Sequence, residues 1–312
     1  MSALAFSAVA LFLIGPVPAV LARATWTLRA PRAAIVLWQS IVLAAVLSAF
    51  SAGIAIASRL FVPGPDGRPT ATVTSEIEAL GWPLWVLYVV VFGLTLLIGA
   101  RLMVAVVQVA IATRRRRAHH RMLVDLLGRS YDPCLRRSSG LRILDVEQPL
   151  AYCLPGVRSR VVVSEGTLSA LSGTEMSAIL SHEHAHLRAR HDLVLEMFTA
   201  VHAAFPRFVR SGNALDAVRL LIELLADDAA VRTAGPTPLA RALVACASGR
   251  TPSGALGAGG PHTVTRVRRL GGKPNSVPLA VAAYVTAAAV LVVPTVALAV
   301  PWLTELQRLL TA

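Results

Sequence analysis

The run His182-Glu183-His184-Ala185-His186 sets two imidazoles four residues apart, with a carboxylate next to the first. On a helix, residues at that spacing share one face, with Cβ atoms roughly 6 Å apart. Two imidazoles so placed can hold one Zn²⁺ ion. Glu183, one position along, can then reach a water on the metal as general base. The chain has eight histidines, so chance seldom produces this H-E-x-x-H pattern. The plain alternative is a polar helix with stray histidines.

Catalytic zinc takes three protein ligands and a water. His191, Glu196 and Glu223 are the candidates for the third position. His191 falls one residue short of the third histidine of a metzincin, and Ala189 stands where that class requires glycine. Glu196 lies in an apolar stretch, residues 193–209, that reads as interfacial. Glu223 belongs to a separate helix and is followed at i+4 by Asp227, so one carboxylate can bind the metal while the other supports a ligand histidine. Leu220, Leu221, Leu224 and Leu225 leave little of that helix to be a solvated face. Glu223 is the favoured ligand.

The elements that must position these groups are legible around them. Ser172-Gly173-Thr174-Glu175 has the form of a capping box, which starts a helix expected to run to about Arg190. A second helix is expected over residues 219–232, closed by Gly235-Pro236. Residues 141–147 and Arg160–Ser164 read as strands, with bends at Pro149, Pro155 and Gly156. Residues 249–261 are small and glycine-rich, hence a loop.

The surroundings are those of a membrane protein. The chain is 55% hydrophobic and 15% charged, with mean hydropathy +0.64, more apolar than soluble domains of this size. Four stretches reach the roughly 20 apolar residues that cross a bilayer: residues 3–22, 33–57, 83–112 and 277–302. The first lacks the basic start of a signal peptide and is read as a retained span. Arg23, Arg29 and Arg32 follow the first stretch, Arg114-Arg115-Arg116-Arg117 the third, and Arg266, Arg268, Arg269 and Lys273 precede the fourth. The loop of residues 59–82 carries two Arg beside Asp66, Glu76 and Glu78. The positive-inside rule then puts the N-terminus outside and residues 113–276 in the cytoplasm. Trp26, Trp38, Trp82, Trp85 and Trp302 sit near span ends, as interfacial aromatics do.

The net charge of +13 is accounted for by basic residues beside spans, facing anionic lipid. The arginine run has no interleaved aromatics for base stacking, so direct nucleic-acid binding is not expected. Cys134, Cys153 and Cys246 all fall in the cytoplasmic part, and an odd number there argues for free thiols.

With these pieces in place the chain resembles the BlaR/MecR antirepressor membrane metallopeptidases. The likeness lies in Ala151-Tyr152-Cys153-Leu154-Pro155-Gly156, in Arg160-Val161-Val162-Val163-Ser164-Glu165-Gly166, in the H-E-x-x-H run with Arg190-His191-Asp192, and in Glu223-x-x-Ala226-Asp227. It covers about residues 141–270, with three spans before and one after. That family and the related prenyl proteases supply their third ligand in the Glu223 form. The resemblance implies Zn²⁺ on His182, His186 and Glu223, Glu183 as the base, and Asp227 supporting a ligand histidine. It implies a substrate strand added at the edge formed by Arg160–Ser164. It offers Arg266 or His262 as an oxyanion stabiliser, either of which could instead be a plain juxtamembrane cation. It also implies a cytoplasmic protein substrate, such as a winged-helix repressor. The receptor members carry a penicillin-binding sensor after the last span, and no such sensor follows here.

The expected architecture is mostly α: a multi-span membrane protein with a cytoplasmic α+β gluzincin-like zinc peptidase domain. Residues 1–112 hold three transmembrane helices, 113–276 the peptidase, and 277–312 the fourth helix and a short tail. The rival reading is a non-catalytic membrane signalling or scaffold protein with a structural zinc domain. Glu183 speaks against it, because a structural zinc needs no general base.

Overall fold

The computed structural model describes residues 2–57, 74, 77–78, 81–130, 140–205, 212–248, 256–257, 262–296, 300, 303–304 and 307. Cys134, Trp302 and most of the loops 59–82 and 249–261 lie outside the described residues. The structure is mostly helical, with one small sheet.

Among the described residues, four helical stretches are long and apolar enough to cross a membrane. The first is broken into α1 (Ser2–Ile14) and α2 (Pro16–Arg23). Pro16 supplies no backbone donor at the break, and the chain turns at Gly15. The second is α3 (Pro31–Ala57). The third, α4 (Trp82–Leu127), runs for 46 residues, or ~69 Å at 1.5 Å per residue, against a hydrocarbon core of about 30 Å. It therefore does not stop at the arginine run. The polar residues there keep helical propensity, and the segment beyond them has a sheet to pack on. The fourth stretch is the last helix, α11 (Val277–Pro294).

Trp38 departs from expectation. It is buried in an apolar core shared by the first two stretches and the helix that carries Glu223. Trp82 and Trp85 do lie together at the start of α4, stacked at 5.6 Å.

The sheet has strands β1 (Arg129–Ser130), β2 (Leu141–Leu144), β3 (Ala151–Leu154), β4 (Arg160–Ser164) and β5 (Leu256–Gly257), in the order β1-β2-β4-β3-β5. β4 lies between β2 and β3, parallel to the first and antiparallel to the second. Its backbone groups are taken on both sides, so it is not the edge that strand addition requires. β3 is the strand near the margin, and β5 pairs beside its Tyr152 and Cys153.

Both faces of this sheet are covered, which is why β3 and β4 read as unbroken apolar runs without a period of two. Tyr152, Leu154 and Val162 meet Val124 of α4 on one face. Ala151 and Val163 meet Ala178 and Ile179 on the other. The C-terminal end of α4 is also tied to the sheet by polar contacts. His120 Nε2 is 2.9 Å from the Tyr152 hydroxyl, Arg121 donates to the Pro155 carbonyl at 2.9 Å, and Arg160 donates to Asp125 at 2.9 Å.

A short helix, α5 (Glu165–Ala170), follows β4. The H-E-x-x-H helix, α6 (Gly173–Arg188), starts at its capping box, where the Ser172 N–H donates to the Glu175 carboxylate at 2.9 Å. Its partners are α7 (His191–Ala204), α8 (Gly212–Ala234), α9 (Pro236–Ala245) and α10 (Thr263–Leu270). Gly235 ends α8 with φ of 85°, where a side chain would be strained. Ile179, Leu239 and Leu243 are fully buried together beneath the sheet, each worth roughly 1.5–3 kcal/mol of transfer free energy. α8 instead turns Leu221, Ile222 and Leu224 into the core containing Trp38, which fixes Glu223 on the face toward α6.

Candidate metal centre

α6 and α8 cross so that His182, His186 and Glu223 converge, with one possible ligand atom from each lying within 4.8 Å of the others. His182 Nε2 and His186 Nε2 are 3.1 Å apart. Glu223 Oε2 is 3.4 Å from His182 Nε2, and Oε1 is 3.6 Å from His186 Nε2. A tetrahedral zinc with bonds of about 2.0–2.1 Å needs ligand atoms roughly 3.3 Å apart. These three separations bracket that value, and the two-nitrogen, one-carboxylate set is that of a catalytic zinc. The residues present therefore fit the ion.

The polar groups around the cluster are almost fully enclosed. His182, Glu183, His186 and Asp227 are each 0% exposed. Both Glu183 oxygens are buried without a hydrogen-bond partner other than the neighbouring Cys153 thiol. A buried carboxylate with so little pairing is costly. Burial, reinforced by the Glu223 charge, pushes Glu183 up to about 7 against the pull of His182, Cys153 and Arg266. That value suits a base working near neutral pH.

Asp227 Oδ1 lies 3.0 Å from His182 Nδ1, the outer contact that orients a ligand imidazole. Arg266 reaches the same carboxylate through Nε at 2.8 Å and Nη2 at 2.6 Å, and Glu223 Oε2 through Nη1 at 2.9 Å. It is 2% exposed and so is no juxtamembrane surface cation. Burial opposes the charge of Glu223, but Arg266 with His186 and His182 outweighs it and holds that carboxyl down at about 2. Burial also lowers His182, yet its contacts to Asp227 and Glu223 win and raise it to about 9. For His186 burial outweighs the pull of Glu223 and, helped by His182 and His191, takes it down to about 3.

The remaining expected site residues lie apart from the cluster. His262 is the N-cap of α10, one turn before Arg266, and its side chain makes no hydrogen bond to the cluster among the described residues. Glu196 faces Arg117 at 3.8 Å, on α7. Three residues were underread. Cys153 stands beside Glu183, His191 Nδ1 is 3.0 Å from His186 Nδ1, and Arg117 pairs with buried Asp192 at 3.0 Å. The signals in the sequence are the histidine at the fifth position after His186 and the acid that follows it, in a chain with a run of four arginines.

An H-E-x-x-H helix completed by a carboxylate from a second helix, beside a small sheet and several apolar helices, defines a metallopeptidase of membrane type. Residues 113–273 match the profile of peptidase family M48. The match spans more than half of the 312 residues, and the chain belongs to that family. Peptidases of the family are typically zinc-dependent. No curated protein and no solved structure matches the chain.

Proposed function

We propose that this chain is an integral membrane zinc endopeptidase that cleaves a cytoplasmic protein. The observation that carries the reading is the convergence of His182, His186 and Glu223 beside a buried Glu183 whose oxygens have no partner among the described residues but the Cys153 thiol. Zinc held by His182, His186 and Glu223 would supply a Lewis acid for the peptide carbonyl. Glu183 is placed to accept a proton from the attacking nucleophile and to return it to the leaving amine nitrogen. Asp227 holds the His182 ring through Nδ1. Arg266 holds Asp227 and Glu223 in place, and its guanidinium is the cation available to steady an oxyanion beside them. Because β4 is internal, an extended substrate adds at β3, which means displacing β5 or pairing along its outer side.

Substrate class and topology extend the proposal. The resemblance to the antirepressor peptidases over residues 141–270 points to a winged-helix repressor as substrate, by analogy of family. The arginine distribution supports a cytoplasmic peptidase, with the N-terminus outside and residues 1–112 and 277–312 supplying the spans.

Two measurements test this. Chelator treatment of the detergent-purified protein abolishes cleavage of an unstructured protein substrate, and zinc restores it; cleavage that survives metal removal contradicts the reading. For topology, native Cys153 and Cys246 are buried and resist labelling on either side, so Lys273→Cys on the exposed turn before α11 is the better probe. An impermeant maleimide labels it only after lysis. Labelling in intact cells reverses the orientation and removes the cytoplasmic substrate.

A further inference from the structure

His186 is backed by an imidazole where His182 is backed by a carboxylate. For His186 to offer a bare Nε2 to the cluster as a neutral ring, its proton must sit on Nδ1. The atom facing that proton is Nδ1 of His191, 3.0 Å away, which must then be bare and accept. The rings meet edge to face, with centroids 5.0 Å apart, and His191 is 4% exposed.

The backbone is bent to make this contact. α6 ends at Arg188, and Arg190, with φ of 51°, is the one non-glycine residue of positive φ among the described residues. Such a turn favours glycine. Here it starts α7 at His191 and folds that ring under His186. The next residue, Asp192, is 3% exposed and accepts from Arg117 of α4 at 3.0 Å. At the other end of α7, Arg101 of α4 donates to the Ala204 carbonyl at 2.5 Å. α7 is thus fastened at both ends to the helix that carries the third span.

We propose that His191 is the positioning residue for the ligand His186, and that Arg117, through Asp192, makes the third membrane helix a control on the metal centre. The proposal rests on the metal-centre reading above. A displacement of α4 carries α7 with it, withdraws the His191 acceptor and frees the His186 ring to turn. Signals arriving at the spans thereby reach the zinc without any contact to substrate.

The test is zinc affinity of the full chain in detergent, read by competition with a chromophoric chelator, with the visible spectrum of the Co²⁺-loaded protein as a report on ligand geometry. His191→Leu removes the acceptor and is expected to weaken zinc about 10–100-fold and alter the Co²⁺ spectrum. His191→Asn puts Oδ1 where Nδ1 stands and should stay within about threefold of wild type. Arg117→Ala is expected to weaken zinc by about tenfold, and Arg117→Lys, which keeps the charge, to recover most of it. Should His191→Leu fail to fold, the Arg117 pair carries the test. Wild-type affinity and spectrum in both His191→Leu and Arg117→Ala would overturn the proposal alone. So would an Asn variant that folds but binds as poorly as Leu. A wild type that takes up no zinc overturns the metal-centre reading and this proposal together.

Discussion

Behind His182 stand Asp227 and Arg266, delivered by α8 and α10; behind His186 stands His191, delivered by the turn that opens α7. Both lie within the family-matched region. The first arrangement is ionic and built from elements far apart in sequence; the second is uncharged at the ring and leads through Asp192 and Arg117 to the long apolar helix α4. One helical turn separates the two histidines, yet contacts to Asp227 and Glu223 push His182 up to about 9 while burial takes His186 down to about 3. The His182 side governs how strongly the centre competes with protons, while the His186 side governs where the ligand points.

Ligand removal gives the largest effect and does not distinguish the two sides. His182→Ala or Glu223→Ala leaves two donors, and zinc is expected to be lost on purification. Glu196→Ala should keep it, because that carboxylate lies on α7 against Arg117 and outside the cluster. Metal analysis of the purified variants decides; loss in Glu196→Ala with retention in Glu223→Ala means the third ligand is misassigned.

Asp227→Asn comes next. It keeps an acceptor near His182 Nδ1 but removes the charge and unbalances Arg266. Zinc affinity should drop about 10–100-fold. An unchanged chelator titration would mean that the ionic side contributes nothing.

The smallest effect is in pH dependence. The metal needs a bare His182 Nε2, and the metal-free ring holds a proton below about 9. Affinity should therefore fall about tenfold per unit as pH drops from about 8.5 to 7.5. Asp227→Asn removes a contact that raises His182 and should flatten this slope. An equally steep slope in the variant assigns the proton elsewhere.

What the sequence disclosed depended on range. Local chemistry was readable: the capping box at Ser172, the H-E-x-x-H face and the i+4 relation of Glu223 and Asp227 are all set within one or two helical turns. The apolar stretches were readable because length and composition suffice for them. Sheet order was not. β4 looked like an edge because nothing in Arg160–Ser164 records that β2 and β3 flank it. Trp38 resembled an interfacial aromatic until α8 packed over it. Arg117 and Arg266 both read as topology charges, since a buried arginine and a lipid-facing one have the same sequence. Their acid partners lie 75 and 39 residues away. His191 has the wrong spacing for a ligand, yet a residue that fails as a ligand can still hold one.

The central claim is that this cluster is a catalytic centre with Glu183 as its base, and Glu183→Gln tests it most directly. The substitution keeps shape and removes the proton acceptor. Zinc content and cleavage of the same substrate are measured on wild type and variant side by side. The account predicts full zinc occupancy with cleavage reduced at least about a hundredfold. Cleavage at the wild-type rate by the zinc-loaded variant would contradict it.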